Sequence, residues 1–444
     1  MVSNAGSIYG LNRFDGSGGA LITDSGDTGI IPTWPIFSYM PNSSVQYGII
    51  LGGYTQSNRI PKKAVLSGGT VTVSQLGPGG TTGAPMARTG FTWGDYLVLG
   101  NYNDPSNSNA LLNNTWAFSP VDAPNSAWSL GASGATFSFP EEVLAGVPVL
   151  NSILVFGYNN CWLWTGDTPP PGGNMARKLL FAGLGTLDGR SCLAWRNYAI
   201  WANAAGIYQS DGATLTDLTA DGGISVYYRQ LISGFAQTQG WSMAAGIYRD
   251  HYVLTIRNAS NVLVTTLVCD LTRKVWTEWT NINGLLFSQR PAGPGTTLFG
   301  GDEELFFAHA TQPYVGKVSS LWTPSQTYQA DGDGTAVLPV LETPFYRVGA
   351  YDQKRIRRVY VGYDLRQGSG GVGLKVSQVL TPEPNASYTT LSPNMPSGTK
   401  YIRKNQRVGK FALGIGFKFE LSAAAADAKL YSIEADAHPW EPER

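Results

Sequence analysis

The sequence predicts an all-β protein in which a β-propeller is followed by a C-terminal antiparallel β-sandwich or small barrel domain. Three observations support this fold class. Short segments rich in Trp, Tyr, Ile and Val recur along the chain, and such residues suit pleated, half-buried strands. The 54 Gly and 26 Pro among 444 residues exceed their usual combined share of about 12 %, as expected where tight turns join short strands. Beyond residue 340, apolar and polar positions alternate, which indicates sheets with one solvated face.

The clearest strand signal lies in residues 153–218, where short apolar runs alternate with turn residues. Two such runs separated by a few residues that include Gly or Asn are typical of a β-hairpin. Two hairpins follow one another here without helical spacing, so we expect consecutive antiparallel sheets. Their strands are predicted at Ile153–Phe156, Trp162–Trp164, Ala199–Trp201 and Ile207–Tyr208.

An internal repeat favours the propeller. The pentapeptide Ala-Ala-Gly-Ile-Tyr occurs at 204–208 and again at 244–248, and pairs of Trp residues recur at a similar interval. A period of about 40–45 residues with four short strands is typical of a propeller blade. A further meander is predicted over residues 241–256 and 262–279.

The chain divides into four predicted parts. Residues 1–66 form an N-terminal arm and first strands, which could be shared with the second domain, and residues 67–323 form the propeller. Residues 324–338 form a linker, and residues 339–444 form the basic sandwich domain, in which only residues 421–429 suggest a helical turn. Residues 1–344 carry 16 Lys and Arg against 22 Asp and Glu, whereas residues 345–444 carry 15 against 9. This asymmetry indicates two domains with different partners.

Composition points to an assembled protein. Charged residues make up 14 % of the chain against a usual value of about 25 %, and aromatic residues make up 12 %. With so little charge, we expect part of the surface to be covered by other copies of the chain. Cys161, Cys192 and Cys269 have no metal or disulfide spacing, so we expect buried free thiols in a reducing cytoplasm. No signal peptide is expected, because residues 1–5 have neither a basic start nor an apolar core. No membrane anchor is expected either, because the uncharged run 143–166 is interrupted by Gly, Pro and Asn.

The sequence lacks the usual catalytic motifs. It has three His and no metalloprotease, nucleophile-elbow or phosphate-loop pattern. We therefore predict no catalytic residue, no cofactor and no metal, and we do not expect an enzyme. Two carboxylate pairs, Glu141-Glu142 and Glu303-Glu304, are of the type that a glycosidase uses, but neighbouring strand residues face opposite sides of a sheet. Asp331-Gly-Asp333 resembles a fragment of a calcium loop and fits a flexible linker better.

Two groups of charged residues are candidate contact sites. A basic group in the C-terminal domain could contact an acidic partner or DNA phosphates. An equal alternative is that these residues lie on edge strands, where their charge prevents pairing with another sheet. This group comprises Lys354, Arg355, Arg357, Arg358, Lys400, Arg403, Lys404 and Arg407. Between Arg88 and Arg177 the chain has no basic residue, and its carboxylates could line a channel in which DNA slides, or could lie on ordinary outer loops. These carboxylates are Asp95, Asp104, Asp122, Glu141, Glu142 and Asp167.

The order of these features resembles a known family. Residues 114–128 (NTWAFSPVDAPNSAW) are followed by the aromatic hairpin 153–167 (ILVFGYNNCWLWTGD) and then by the strand-rich segments 185–212 and 263–279. Over about residues 90–320, the chain resembles the β-propeller tail hub or nozzle proteins, also called packaged-DNA stabilisation proteins, of tailed and especially short-tailed bacteriophages. The basic domain fits the family's second domain, whereas the family's opening segment is not evident in residues 1–29.

The resemblance implies a structural virion protein. Such proteins form a homo-oligomeric ring, a hexamer, below the portal and adaptor, and the ring extends or closes the DNA channel until DNA ejection. The implied partners are further copies of the chain, the portal or adaptor, tail fibre proteins and viral DNA. The implied location is the virion tail, assembled in the host bacterial cytoplasm.

Two alternatives stay open. One is a glycan-binding propeller for host recognition, in which sugars stack on Trp162, Trp164, Trp195 or Trp201. The other is a glycoside hydrolase, which needs two carboxylates at a suitable separation in one cleft.

Overall fold

The computed structural model describes the chain almost continuously from residue 60 to residue 290, apart from 68–69, 79, 131–133, 236–239 and 280–281. Outside that range it describes mainly separate strands, at 2–4, 7–10, 20–22, 34–35, 37–39, 47–52, 304–310, 315–318, 340–342, 346–347, 354–366, 374–380, 388–395, 398–412, 414–421 and 427–439. The chain forms two compact units, Met1–Ser319 and Ser320–Arg444. The predicted linker at 324–338 lies outside the described residues.

The first unit begins with a three-stranded sheet formed by Val2–Asn4 (β1), Ser7–Gly10 (β2) and Ala20–Ile22 (β3). Six further sheets of the described residues, called sheets 1 to 6 below, follow in chain order. Sheet 1 comprises Phe37–Tyr39 (β4), Tyr47–Ile50 (β5), Lys62–Ser67 (β6) and Thr70–Gln75 (β7). Sheet 2 comprises Met86–Trp93 (β8), Tyr96–Asp104 (β9), Ala110–Phe118 (β10) and Thr136–Ser138 (β11).

The remaining sheets of this unit repeat the same antiparallel meander. Sheet 3 comprises Ala145–Val149 (β12), Ser152–Phe156 (β13), Asn160–Thr165 (β14) and Ala176–Ala182 (β15). Sheet 4 comprises Leu193–Trp195 (β16), Tyr198–Ala202 (β17), Ile207–Ser210 (β18) and Leu215–Asp217 (β19). Sheet 5 comprises Ser242–Tyr248 (β20), His251–Arg257 (β21), Leu263–Asp270 (β22) and Val275–Glu278 (β23), and sheet 6 comprises Gly284–Arg290 (β24), Glu304–His309 (β25) and Val315–Val318 (β26).

These sheets are arranged as a β-propeller. The first strand of each sheet lies beside the first strand of the next, from β4 through β8, β12, β16 and β20 to β24. Successive meanders placed side by side around their first strands are the architecture of propeller blades. The predicted all-β class and its β-propeller are therefore confirmed, and so are the two predicted hairpins, in which β13 pairs with β14 and β17 pairs with β18.

The alternation of side chains along each strand fills the space between neighbouring sheets. Ile153 and Val155 of β13 pack with Trp116 of sheet 2. Leu154, which lies between them, belongs instead to a core that contains Trp201 of sheet 4. Because successive side chains of a strand point to opposite faces, one apolar strand supplies two cores. Large aromatic side chains at these positions bury much apolar area, which accounts for the high aromatic content of the chain.

Two short helices between β19 and β20 were not predicted. They span Leu218–Asp221 (α1) and Ser225–Leu231 (α2). The carboxylate of Asp217 accepts hydrogen bonds from two backbone N–H groups in the first turn of α1 and so caps that helix. The helical turn predicted at 421–429 is wrong where the chain is described, because Asp427–Pro439 is a strand. No helix in the described part of the chain is long and apolar enough to cross a membrane.

Two details of the predicted organisation differ from the structure. The first copy of the pentapeptide, 204–208, runs from a turn into β18, the third strand of its sheet. The second copy, 244–248, lies on β20, a first strand, so the repeat does not mark the blade period. The predicted propeller start at residue 67 falls at the end of β6 and divides sheet 1.

The second unit contains two antiparallel sheets in its described residues. Their strands are Val340–Glu342 (β27), Tyr346–Arg347 (β28), Lys354–Arg366 (β29), Leu374–Val379 (β30), Thr389–Met395 (β31), Gly398–Ala412 (β32), Gly414–Leu421 (β33) and Asp427–Pro439 (β34). One sheet has the order β27-β33-β30-β31, with β28 also paired to β33, and the other has the order β32-β29-β34. Val359 and Val361 of β29 and Phe417 and Phe419 of β33 are buried, so each sheet has an apolar face. The sandwich or barrel itself stays a prediction.

Candidate functional site

A partly buried ion pair lies where sheet 4 meets sheet 5. The loop from β15 to β16 contains a 3-10 turn, Gly189–Ser191, which is capped by Asp188. The two carboxylate oxygens of Asp188 accept hydrogen bonds from the backbone N–H and the guanidinium of Arg190, at 2.6 to 3.0 Å. The Oδ2 atom also accepts the backbone N–H of Met243 in β20 at 3.0 Å. One carboxylate therefore orders the loop and ties it to the first strand of the next sheet.

Opposing effects determine the charge of Asp188. Burial on its own would raise the pKa of this carboxyl group. The positive charge of Arg190 and the hydrogen bonds from Arg190 and Met243 outweigh burial and hold the pKa below its usual value. The group is therefore ionised at neutral pH and makes a charge-assisted contact with the guanidinium fork.

A second arginine, Arg257, lies near this pair at the end of β21, and its side chain is fully buried. Among the described residues, none accepts a hydrogen bond from its Nε, Nη1 or Nη2 atoms. Burial, followed by the positive charge of Arg190, lowers the pKa of Arg257 to about 10, and Asp188 partly opposes this. The cluster thus contains two guanidinium groups and one carboxylate.

Further polar groups without partners lie at the same end of the propeller. Ser242, the first residue of β20, stands directly opposite Arg257 in the register of sheet 5. Its hydroxyl is buried and makes no hydrogen bond within the part of the chain that the structure describes. The Thr255 hydroxyl donates to the carbonyl of Gly284 at 2.8 Å, so the start of sheet 6 lies beside the end of β21. There the buried Oδ1 of Asn283 also lacks a partner among described residues.

No sequence pattern predicted a site at Asp188, Arg190, Arg257 or Ser242. An available signal was the position of Arg257, a charged residue at the end of the mostly apolar segment YVLTIR. Buried polar groups in native proteins nearly always have hydrogen-bond partners, so a cluster with several exceptions is a candidate binding site.

The six carboxylates predicted to line a channel lie at the ends of strands, in two separate groups. Asp95, Asp122 and Asp167 follow β8, β10 and β14, at one end of the meanders. Asp95 and Asp122 are in contact there, because the N–H of Asp122 donates to the carbonyl of Asp95 at 3.0 Å.

The other three carboxylates lie at the opposite end and are engaged with their surroundings. Asp104 is buried and accepts hydrogen bonds from Ser106. Glu141 accepts the indole N–H of Trp162 in sheet 3, and Glu142 accepts a hydrogen bond from Asn101 in sheet 2. None of the six lies on the first strand of a sheet, so they do not form one wall. A channel-lining role for some of them stays a prediction.

The structure does bring the two predicted basic segments together. Lys354, Arg355, Arg357 and Arg358 lie on β29, and Lys400, Arg403, Lys404 and Arg407 lie on β32, its antiparallel neighbour. In this register Arg358 stands opposite Arg407 on one side and opposite Asp436 of β34 on the other. Since β29 is the central strand of its sheet, the edge-strand explanation fails for the first segment.

The Trp residues considered as sugar platforms divide into two pairs. Trp164 and Trp201 are buried in the cores between sheets and offer no exposed ring face. Trp162 and Trp195 are partly buried, and the Nε1–H of Trp195 donates to Asp250 at 2.8 Å. The Glu141-Glu142 pair contacts two different sheets, as described above, and Glu303 lies outside the described residues.

The cysteines are buried free thiols, as predicted. Burial raises the pKa of Cys192 and of Cys269 to about 12. The described residues include no group of three His, Cys, Asp or Glu side chains that could hold a metal ion, and Asp331 and Asp333 lie outside them.

The outermost strands of sheets 3 to 5 expose large apolar side chains. Leu179 of β15, Leu215 of β19 and Val275 of β23 are between 38 and 54 % exposed. Val226 and Tyr227 of α2, which lies between sheets 4 and 5, are also exposed. Exposed apolar side chains on strands at the edge of a sheet are a common basis for association between chains.

No protein-family model matches this chain, and no curated protein matches it. Among solved structures, it is similar to an exo-β-1,3-galactanase from Phanerochaete chrysosporium, at 10 % identity and a TM-score of 0.22, over 97 % of this chain and 100 % of that chain. It is also similar to the WD40 domain of SCAP from fission yeast, at 11 % identity and a TM-score of 0.30, over 88 % and 95 %. A glycoside hydrolase family 43 protein from Bacillus licheniformis matches at 8 % identity and a TM-score of 0.28, over 90 % and 99 %.

The comparison corrects one expectation. The sequence led us to predict that the protein is not an enzyme. That prediction is contradicted, because glycoside hydrolases are among the solved chains that match this chain over nearly its whole length. At such low identities and TM-scores, no activity, substrate or residue role passes from those proteins to this one.

Proposed function

We propose that the protein is a structural subunit of a bacteriophage tail, a hub or nozzle component that forms a ring with copies of itself. The observation that carries this proposal is the exposure of Leu179, Leu215 and Val275 on the outermost strands of three consecutive sheets. Covering apolar surface stabilises an assembly by about 25 cal/mol for each Å² removed from water. The low share of charged residues and the order of the sequence features support the same proposal.

In this proposal the ring closes because each subunit repeats one contact under rotational symmetry. The propeller supplies the rigid body, and its outermost strands supply the contact between neighbouring copies. The basic strands β29 and β32 of the second unit provide a surface for an acidic neighbour, such as a portal or adaptor protein, or for DNA phosphates. The subunit assembles in the bacterial cytoplasm and acts in the virion.

Sedimentation of the full chain tests the proposal. We expect the wild type to sediment as a closed oligomer, and we expect Leu179→Asp and Val275→Asp to dissociate it, because each places a charge in an apolar contact. Leu150→Asp is the matched control, since Leu150 is 64 % exposed but lies in the turn between β12 and β13. A wild type that stays monomeric, or an oligomer that neither outer-strand variant affects, would refute this function.

A second candidate function is glycan binding, and one partly exposed aromatic cluster favours it. The ring of Trp195 stacks with Tyr198, and the guanidinium of Arg196 lies 4.7 Å from the centroid of the Trp195 ring. The carboxylate of Asp250 accepts hydrogen bonds from both Trp195 and Arg196. An aromatic ring beside a carboxylate and a guanidinium suits the apolar face and the hydroxyls of a sugar. Glycan-array binding that Trp195→Ala abolishes and Trp162→Ala retains would support this candidate, whereas no binding by the wild type would exclude it.

A further inference from the structure

The side chain of Arg257 carries a positive charge into the interior of the propeller. It is completely buried, and its guanidinium nitrogens have no hydrogen-bond acceptor among the described residues. A buried charge that is neither paired nor hydrogen-bonded is strongly destabilising, so such groups normally have a partner. The question is therefore which acceptor meets this guanidinium in the folded protein.

The nearby carboxylate is not available for this role. Asp188 Oδ1 accepts hydrogen bonds from the backbone N–H and the Nε of Arg190, and Oδ2 accepts from the Nη2 of Arg190 and from the Met243 backbone. A carboxylate has about four lone-pair positions, and these four hydrogen bonds occupy them. The pair of Asp188 and Arg190 is thus neutral and saturated, and Arg257 leaves the cluster with one excess positive charge.

The cross-strand neighbour of Arg257 supplies a second donor. Ser242 is the Cα partner of Arg257 in the antiparallel pairing of β20 and β21. Residues directly opposite one another share a face of the sheet, with their Cβ atoms about 4.5–5.5 Å apart. The buried Ser242 hydroxyl has no partner within the described residues. A guanidinium fork and a hydroxyl on one sheet face are the donor set that recognises an oxyanion.

We propose that Arg257 and Ser242 bind an oxyanion, of the carboxylate or phosphate class, inside the propeller at the junction of sheets 4, 5 and 6. The anion neutralises the excess charge and accepts paired hydrogen bonds from the guanidinium. Because Arg257 is closed to solvent, the anion exchanges through local opening of the propeller and is retained through rapid desalting. It acts as an internal structural ligand that holds together the paired ends of β20 and β21.

The test has two measurements on the full chain. The first is ion chromatography of the anions released when desalted protein is denatured in acid. We expect one oxyanion for each wild-type chain and at least a tenfold lower content in Arg257→Met. The second is thermal unfolding after refolding in anion-free buffer, with inorganic phosphate, acetate or chloride then added at millimolar concentration. Phosphate and acetate are tested separately, so that the larger rise in melting temperature identifies the class of oxyanion.

Matched variants separate binding from a general structural effect. Arg273→Met removes an exposed arginine from the other end of sheet 5 and should leave the anion content unchanged. Ser242→Ala removes one hydrogen bond to the anion and should weaken its affinity by about tenfold, and it serves as the test variant if Arg257→Met does not fold. Anion-free Arg257→Met should unfold at the same temperature as the anion-free wild type or higher, because it removes a buried charge that has no acceptor among the described residues.

Two results would overturn the proposal. One is equal anion content in the wild type and in the variants of Arg257 and Ser242. The other is a wild type that holds no oxyanion after purification and whose melting temperature responds no more to phosphate or acetate than to chloride.

Discussion

The carboxylate of Asp188 and the backbone N–H of Met243 form a 3.0 Å hydrogen bond that joins two blades of the propeller. Asp188 lies in the loop before sheet 4, and Met243 lies on the first strand of sheet 5. The same carboxylate pairs with Arg190 at 2.6 Å. Because one side chain makes all these contacts, the packing of two neighbouring sheets depends on it.

Asp188→Asn should destabilise the propeller by about 3 kcal/mol, because it leaves the largely buried guanidinium of Arg190 without its counter-charge. Chemical denaturation followed by Trp fluorescence measures the change in unfolding free energy. The control is Asp221→Asn, which breaks the exposed ion pair with Lys274 and should cost about 0–1 kcal/mol. Equal losses of unfolding free energy in the two variants would show that the Asp188–Arg190 pair contributes no more to stability than an exposed ion pair.

The stability that Asp188 confers should depend on pH in a defined direction. Its pKa is lower in the folded protein than the value of about 3.9 expected for an unfolded chain. The contribution is therefore fully present above the unfolded pKa and is lost as the pH falls through the lower, folded pKa. The difference in unfolding free energy between wild type and Asp188→Asn should be constant near neutral pH and shrink below about pH 4. A difference that grows on acidification would contradict this account.

Gly100→Ala should destabilise sheet 2 by about 1–3 kcal/mol through overpacking. Gly100 of β9 stands opposite the buried Trp116 of β10, and a Cβ atom at Gly100 would lie 2.3 Å from Cε3 of that indole ring. Thermal or chemical unfolding measures the loss. Trp116→Phe makes room for the added methyl group, so the double variant should lose less stability than the sum of the two single variants. If the double variant loses as much stability as the two single variants together, the methyl group at residue 100 and the indole ring of Trp116 do not compete for space.

The three cysteines should be inert to thiol reagents in the native protein. All are buried, and burial raises the pKa of Cys192 and Cys269 to about 12, so the reactive thiolate is scarce at pH 8. A chromogenic disulfide reagent should label no cysteine rapidly under native conditions and all three after unfolding. Rapid labelling of a native cysteine, identified by peptide mass, would show that its blade opens to solvent.

The sequence was sufficient for features that are local in the chain. The hairpin of β13 and β14 and the meander of sheet 5 were predicted because aromatic and β-branched runs are separated there by Gly, Asn or charged turns. The helices α1 and α2 were missed because they are only four and seven residues long, too short for a clear helical period. The repeated pentapeptide gave a wrong blade period. Its first copy lies in a turn and in β18, the third strand of sheet 4, whereas its second copy lies in β20, the first strand of sheet 5.

Features that depend on distant residues could not be predicted. Asp188 and Met243 are 55 residues apart in the chain, and the pairing of Arg257 with Ser242 requires the register of β20 and β21. Both basic segments were identified in the sequence. Their placement on neighbouring strands depends instead on the pairing of β29 with β32, which no local pattern specifies.

The central claim is that copies of this chain close into a ring, and electron microscopy of the purified full-length protein tests it most directly. The account predicts closed rings of uniform size, with six subunits as the resemblance implies, and their loss in Leu179→Asp and Val275→Asp. Single, well-folded propellers that never associate, at concentrations where tail proteins assemble, would contradict it.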